Sequence, residues 1–301
     1  MKFSGTNDNT YTGPTTVNTG YLYLAAGGTS DLIPGDLVIN GGAVEDGGNR
    51  IADTSNIIIN GGSFKLQLGN EGSSRSETFH SLIMTGGKYQ SGSSGHSGSS
   101  TLTGSATLFG GNINLVPQTN MSVAGLTTLS GGVVNISNAS SASSHNTYLA
   151  LNGGLAIENT AEGAYTPIII GGHSSNRGGK LLLNGDVTFT GNTINGNTVT
   201  IDAVASTNMG VIDLNGETRT FTIGDGAADV DLAIVPAIEN GGIVKAGAGT
   251  LALNGVNTYS GPTTITGGTL KLGSAGSISS SSTIQIGVGA ILDTTAQAFA
   301  M

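Results

Sequence analysis

The chain has 301 residues with 51 Gly and no Cys, which excludes disulfides, thiol catalysis and a zinc–thiolate site. Charged residues are only 10%, the net charge is −9, and the ten Lys and Arg are scattered, so a nucleic-acid footprint is missing and anionic membranes are disfavoured. No apolar run is long enough to insert in a membrane, the first residues lack a signal-peptide pattern, and the apolar share of 37% in regular short runs argues against disorder.

In chain order, the first recognisable unit is Asn9-Thr10-Tyr11-Thr12-Gly13-Pro14-Thr15-Thr16-Val17, followed by Leu22 and Leu24 on one face of an alternating run. From there a glycine corner recurs: Asn40-Gly41-Gly42, Asn60-Gly61-Gly62, Thr85-Gly86-Gly87, Gly110-Gly111, Ser130-Gly131-Gly132, Asn152-Gly153-Gly154 and Gly171-Gly172. The intervals are 20, 25, 24, 21, 22 and 18 residues. Before most corners stands an apolar run such as Leu37-Val38-Ile39, Ile57-Ile58-Ile59 or Leu82-Ile83-Met84. After them comes a short alternating run such as Ser63-Phe64-Lys65-Leu66. Asn-Gly tolerates positive φ and turns the chain sharply. A period of about 22 residues holds several strands rather than one, which predicts stacked coils instead of a hairpin meander. No coil buries its apolar side alone, so the array must be continuous. About 13 coils at the ~4.8 Å strand spacing make a rod on the order of 60 Å long.

No stretch shows an apolar stripe at helical spacing, so almost no helix is expected. Ser91 to Ser100 and Ser137 to Asn146 are nearly free of apolar residues and read as loops leaving a corner. Asp186 to Asp213 keeps strand character but blurs the repeat. The whole chain reads as a single solenoid over 1–301, with a weak boundary near Val235-Pro236. Asn side chains in the corners are expected to form ladders from coil to coil.

The chain closes on Gly247-Ala248-Gly249-Thr250-Leu251-Ala252-Leu253-Asn254-Gly255, then Asn257-Thr258-Tyr259-Ser260-Gly261-Pro262-Thr263-Thr264-Ile265, then Leu270 and Leu272. Asn257 to Ile265 repeats Asn9 to Val17, and Leu270 and Leu272 repeat Leu22 and Leu24 at the same offset. Residues 247–272 resemble the passenger-associated transport repeat, also called the autotransporter-associated β-strand repeat. Within a repeat-like unit over 3–24, Thr10 to Leu24 resembles its second half, while Phe3 to Asp8 departs from the pattern by two extra residues and the leading Gly-x-Gly-Thr-Leu is absent. The resemblance implies a right-handed parallel β-helix from a bacterial cell-surface or secreted protein. It carries over no catalytic site.

Parallel β-helices also host polysaccharide lyases and hydrolases, which cluster carboxylates on one face. The best such set is Asp225, Asp229 and Asp231, whose oxygens are candidate calcium ligands; Asp229 and Asp231 would face the same way on a strand. The competing reading is a solvated turn. His80, His96, His145 and His173 are far apart in sequence, so a His-activated nucleophile is not assembled by spacing. Gly247-Ala248-Gly249 begins like a dinucleotide fingerprint, but no helix follows. Tyr11 and Tyr259 occupy one repeat position, as structural tyrosines or as a sugar platform.

The leading reading is a non-enzymatic, structural or adhesive rod outside a bacterium, with a host surface, matrix or glycan as partner and no cofactor other than calcium. One alternative is a subunit that polymerises end to end, using Phe3 at one end and Phe299 and Met301 in the apolar tail Ala296 to Met301 at the other. The other alternative is a polysaccharide-binding or polysaccharide-cleaving β-helix.

Overall fold

The computed structural model describes residues 1–5, 7–25, 30–66, 75–92, 98–137, 147–158, 163–172, 178–204 and 210–297. Among them all regular elements are β-strands, and no helix occurs. They form three parallel sheets. The long sheet has 13 strands, from Lys2–Phe3 to Ile291–Asp293. The second has 12, from Thr15–Val17 to Ile284–Ile286. The third has seven, from Arg75–Phe79 to Ala237–Glu239. Each strand pairs with its counterpart one coil away, which is the topology of a parallel β-helix.

One coil shows how sequence becomes shape. Leu82–Met84 lies in the second sheet and Lys88–Gln90 in the long sheet, with Gly86-Gly87 at the corner between them. Gly98–Leu102 then crosses the third sheet before Ala106–Leu108 returns to the second. Period-2 alternation sends every other residue inward. In the second sheet this stacks Leu37, Ile57, Leu82 and Ala106 in register, all buried. In the long sheet Val44, Phe64, Tyr89 and Ile113 do the same. Phe64 and Tyr89 are stacked, with ring centroids 5.2 Å apart.

The glycine corners are set by both backbone and space. Gly42, Gly62, Gly87 and Gly111 have φ of 75°, 68°, 69° and 78°. A Cβ at Gly62 would fall on the carbonyl oxygen of Gly42 one coil below. Beside these corners run amide ladders: Asn40 Nδ2 donates to Asn18 Oδ1 at 2.8 Å, and Asn60 Nδ2 to Asn40 Oδ1 at 2.8 Å. Thr85 extends the row by donating to Asn60 at 3.0 Å, and Asn184 donates to Asn152 at 2.6 Å.

One part of the sequence reading changes. Ser91 to Ser100 is not a loop throughout: Gly98–Leu102 is a strand of the third sheet. Its small inward residues are buried, and the hydroxyl of Ser100 accepts the Tyr89 hydroxyl at 2.7 Å. Ser91 is also buried, with Thr119 Oγ1 as partner and the Val116 N–H donating to it at 3.3 Å. Serines can therefore line the interior, provided their hydroxyls are paired. Residues 93–97 and 138–146 lie outside the described residues. At Val235-Pro236 the long sheet runs on, through Leu232–Ile234 to Thr250–Leu253. The third sheet ends just beyond, at Ala237–Glu239.

Where the third sheet is absent, the repeat chemistry holds that side of the coil. Asn257 is buried; it accepts the Ile238 N–H at 2.9 Å from the coil before and donates to Ser277 O at 2.9 Å in the coil after. Tyr259 is 1% exposed, and its hydroxyl bonds Thr263 Oγ1 at 2.7 Å. In the opening repeat Asn9 donates to Leu32 O at 2.8 Å, and the Tyr11 hydroxyl meets Thr15 Oγ1. The shared Asn-x-Tyr-x-Gly-Pro-Thr phrase is thus a pin for a side without a strand.

Candidate functional site

The outer surface of the long sheet carries a continuous column of polar side chains. Parallel register places Tyr23, Glu45, Lys65, Gln90, Asn114 and Asn135 one above another on successive strands. Beside this column, Tyr21, Ala43, Ser63, Lys88, Asn112 and Val133 form a second. Tyr21 is 48% exposed, and its hydroxyl donates to Glu45. Desolvation and the Glu45 carboxylate push that hydroxyl up to about 12. Lys65 lies 3.7 Å from Glu45, and Asn135 donates to Asn114 at 3.1 Å. Amides, an ammonium and tyrosine rings at strand spacing can grip an extended chain of hydroxyls or amides. They do not form a nucleophile with its base.

A second cluster sits on the outer face of the third sheet. Lys180 Nζ lies 2.5 Å from Asp213 Oδ2 and 3.1 Å from Glu239 Oε1, with the three residues on three successive strands. Burial pushes the Asp213 carboxyl up, but the Lys180 ammonium and the Asn215 N–H outweigh it and hold the carboxyl below its ordinary range. Such a group stabilises the fold above the ordinary carboxylate range and loses that contribution as acid protonates it. Lys180→Met should cost about 1–2 kcal/mol at neutral pH by leaving Asp213 beside Glu239 without the cation. Denaturant titration should show that cost shrinking in acid, where the carboxyls are neutral.

The sequence-derived aspartates are not brought together. Asp225 and Asp229 are exposed, and residues 224–231 are not a strand. Asp231 is 1% exposed; it accepts the Gly226 N–H at 2.7 Å and the Thr250 N–H at 2.8 Å. It therefore pins a turn to the next coil, and it does not share a strand face with Asp229. Among the described residues, no three His, Asp or Glu groups form a metal-holding set. His80 is exposed, with Nδ1 3.2 Å from Thr103 Oγ1; His96, His145 and His173 lie outside the described residues. Gly247-Ala248-Gly249 leads into the strand Thr250–Leu253, so no helix N-terminus follows it. Tyr11 is 38% exposed, whereas Tyr259 is buried, so the pair does not form a common platform. Phe3 packs partly buried on the core and lines hollows of about 400 and 310 Å³ at the first coil. Phe299 and Met301 lie outside the described residues.

One inward residue escapes the sequence reading. Lys245 shares the parity of Ile243 in the strand Gly242–Ala246 and is fully buried. Its ammonium donates to the carbonyls of Ala246, Gly247 and Gly267 at 2.9, 2.9 and 3.0 Å. Desolvation pushes it down to about 8. The alternation with Ile243 was the available signal.

With this geometry in view, comparison with known proteins is direct. Residues 3–24 and 243–272 match the family model described as passenger-associated transport repeat. The chain is similar to the adhesin BmaC autotransporter of Brucella suis biovar 1 (strain 1330), with 32% identity over 149 residues. The match spans 49% of this chain and 4% of that adhesin. No solved structure matches. The two matched stretches are passenger-associated transport repeats carried on a parallel β-helix, and the place of such a segment is the cell surface or the extracellular space.

Proposed function

We propose that the chain is a non-enzymatic segment of a bacterial surface adhesin, forming one continuous stiff rod over 1–301 whose long-sheet outer face meets a host or matrix surface. The observation that carries this reading is the register-aligned column Tyr23, Glu45, Lys65, Gln90, Asn114 and Asn135 on a sheet of 13 strands. The adhesin likeness supports the direction of the proposal. Glycans are the favoured ligand class, because amides and tyrosines suit hydroxyl-rich rings. The purified chain should bind host cells or a panel of immobilised matrix proteins and glycans. The triple variant Tyr23→Ala, Lys65→Glu, Asn114→Asp should lower that binding tenfold or more, at about 1.4 kcal/mol per tenfold. A control on the second sheet's outer face, Thr107→Ala with Thr128→Ala, should leave it unchanged. Equal loss in both variants, or turnover of any panel polysaccharide, would overturn the reading.

End-to-end association is a second reading, favoured by the exposed Ile284, Ile286 and Ile291 on the last strands of two sheets and by the hollows beside Phe3. Light scattering over a concentration series tests it: growth that disappears in Ile286→Asp supports it, and a constant monomer signal refutes it.

A further inference from the structure

We propose that Asp46 and Glu77 hold one proton in common and, with Arg50, make a net-neutral buried clamp that fastens successive coils and is released by alkali. The cluster lies where the third sheet begins. Asp46 ends the long-sheet strand Ala43–Asp46, Arg50 follows the turn after it, and Glu77 points inward from Arg75–Phe79, the edge strand of the third sheet. All three side chains are buried. Glu77 replaces a missing strand partner: its Oε2 accepts the Arg50 N–H at 2.9 Å, and its Oε1 accepts the Ile51 N–H at 3.3 Å. The Arg50 side chain reaches the coil below, with Nε donating to Ala25 O at 2.7 Å and Nη1 to Ser30 O at 3.2 Å. Three levels of the helix therefore meet at one charge cluster.

Atom bookkeeping requires the proton. Asp46 Oδ1 accepts the Gly48 N–H at 3.1 Å, while Oδ2 is buried with no donor facing it. The carboxyl that bonds the Asp46 side chain is that of Glu77, and two ionised carboxyls would repel. One proton between them supplies the missing hydrogen bond and leaves a single negative charge against the Arg50 guanidinium. A buried pair satisfied in this way avoids the cost of an uncompensated charge. The other charged or titratable groups around it are Tyr89, whose hydroxyl is turned to Ser100, and Arg75, which lies along Gly48. Desolvation drives both carboxyls up, Glu77 to about 11, and the pair titrates as a unit. The sign follows. A proton held more tightly in the folded chain stabilises it fully below the ordinary carboxylate range, and that contribution is lost as pH rises toward the folded value.

The test is thermal unfolding of the full chain and of Glu77→Gln between about pH 6 and about pH 10, where the folded chain keeps the proton and the unfolded chain does not. Glutamine imitates the protonated acid in shape. The wild-type chain should lose several degrees in its unfolding midpoint across this range, and Glu77→Gln should lose far less. An infrared band of a protonated carboxyl, present at neutral pH in the wild type and missing in Glu77→Gln, gives a readout independent of unfolding. If Glu77→Gln does not fold, Asp46→Asn and the wild-type band decide. A wild-type spectrum without that band at neutral pH, or a pH profile unchanged by Glu77→Gln, would overturn the clamp.

Discussion

Gly62→Ala should lower stability by about 2–4 kcal/mol, far more than an exposed substitution, because two penalties coincide. The position has φ of 68°, which costs an L-residue about 1 kcal/mol. The added Cβ would also fall on Gly42 O and crowd Gly41 of the coil below, and backbone in a continuous ladder cannot move away from it. Gly20 separates the two terms: it has φ of 80° but nothing within 4 Å of its would-be Cβ. Gly20→Ala should therefore cost only about 1 kcal/mol. Gly13→Ala, with neither positive φ nor a neighbour, should change stability by no more than about 0.5 kcal/mol. Denaturant midpoints of the three variants check the order. Equal effects at Gly62 and Gly20 would mean that successive corners are not stacked.

Asn257→Ala should cost about 2–3 kcal/mol, chiefly through the buried Ile238 N–H left without a partner. The side chain joins three levels: Ile238 N–H below, Gly255 O within its own turn at 3.1 Å, and Ser277 O above. The Ile238 N–H is buried and would be left without a partner, while Gly255 O and Ser277 O each keep a backbone donor. Asn9→Ala, at the matching position of the opening repeat, should cost about 1 kcal/mol, since its amide group makes one bond across, to Leu32 O, and is only half-buried. Hydrogen exchange of the Ile238 amide in Asn257→Ala should rise above that of Ile212, its register partner one coil away in the same sheet. Unchanged protection of Ile238 would contradict the pin.

What the sequence made legible was whatever repeats with a fixed chemical cause. Gly42, Gly62, Gly87 and Gly111 mark corners because only glycine fits there, and Asn18, Asn40 and Asn60 form a ladder because their spacing returns them to the same edge. The third sheet was hidden at its start, because Gly98–Leu102 and Thr119–Val123 place Gly98, Ser100 and Thr119 inward beside Leu102, Met121 and Val123, which weakens the apolar alternation. Charged clusters were hidden for another reason. Asp46 and Glu77, or Lys180, Asp213 and Glu239, are joined only after intervening segments of unequal length are wound into coils. Asp231 shows the opposite error: an aspartate in an acidic stretch reads as a ligand until its oxygens are found on the Gly226 and Thr250 amides. The outer column from Tyr23 to Asn135 needed the register, because its residue types share nothing but parity.

The reading of this chain as one rod that presents a long adhesive face rests on unbroken stacking between its two repeats. Because the chain has no Cys, spin labels can be placed cleanly at Tyr23→Cys and Lys271→Cys. These residues lie on the second and twelfth strands of the long sheet, ten steps apart. Pulsed electron spin resonance should give one narrow distance near 48 Å, at ~4.8 Å per step, widened only by the label arms. A short or broad distribution would mean that the two repeats belong to separate bodies, and the continuous adhesive face would be lost with it.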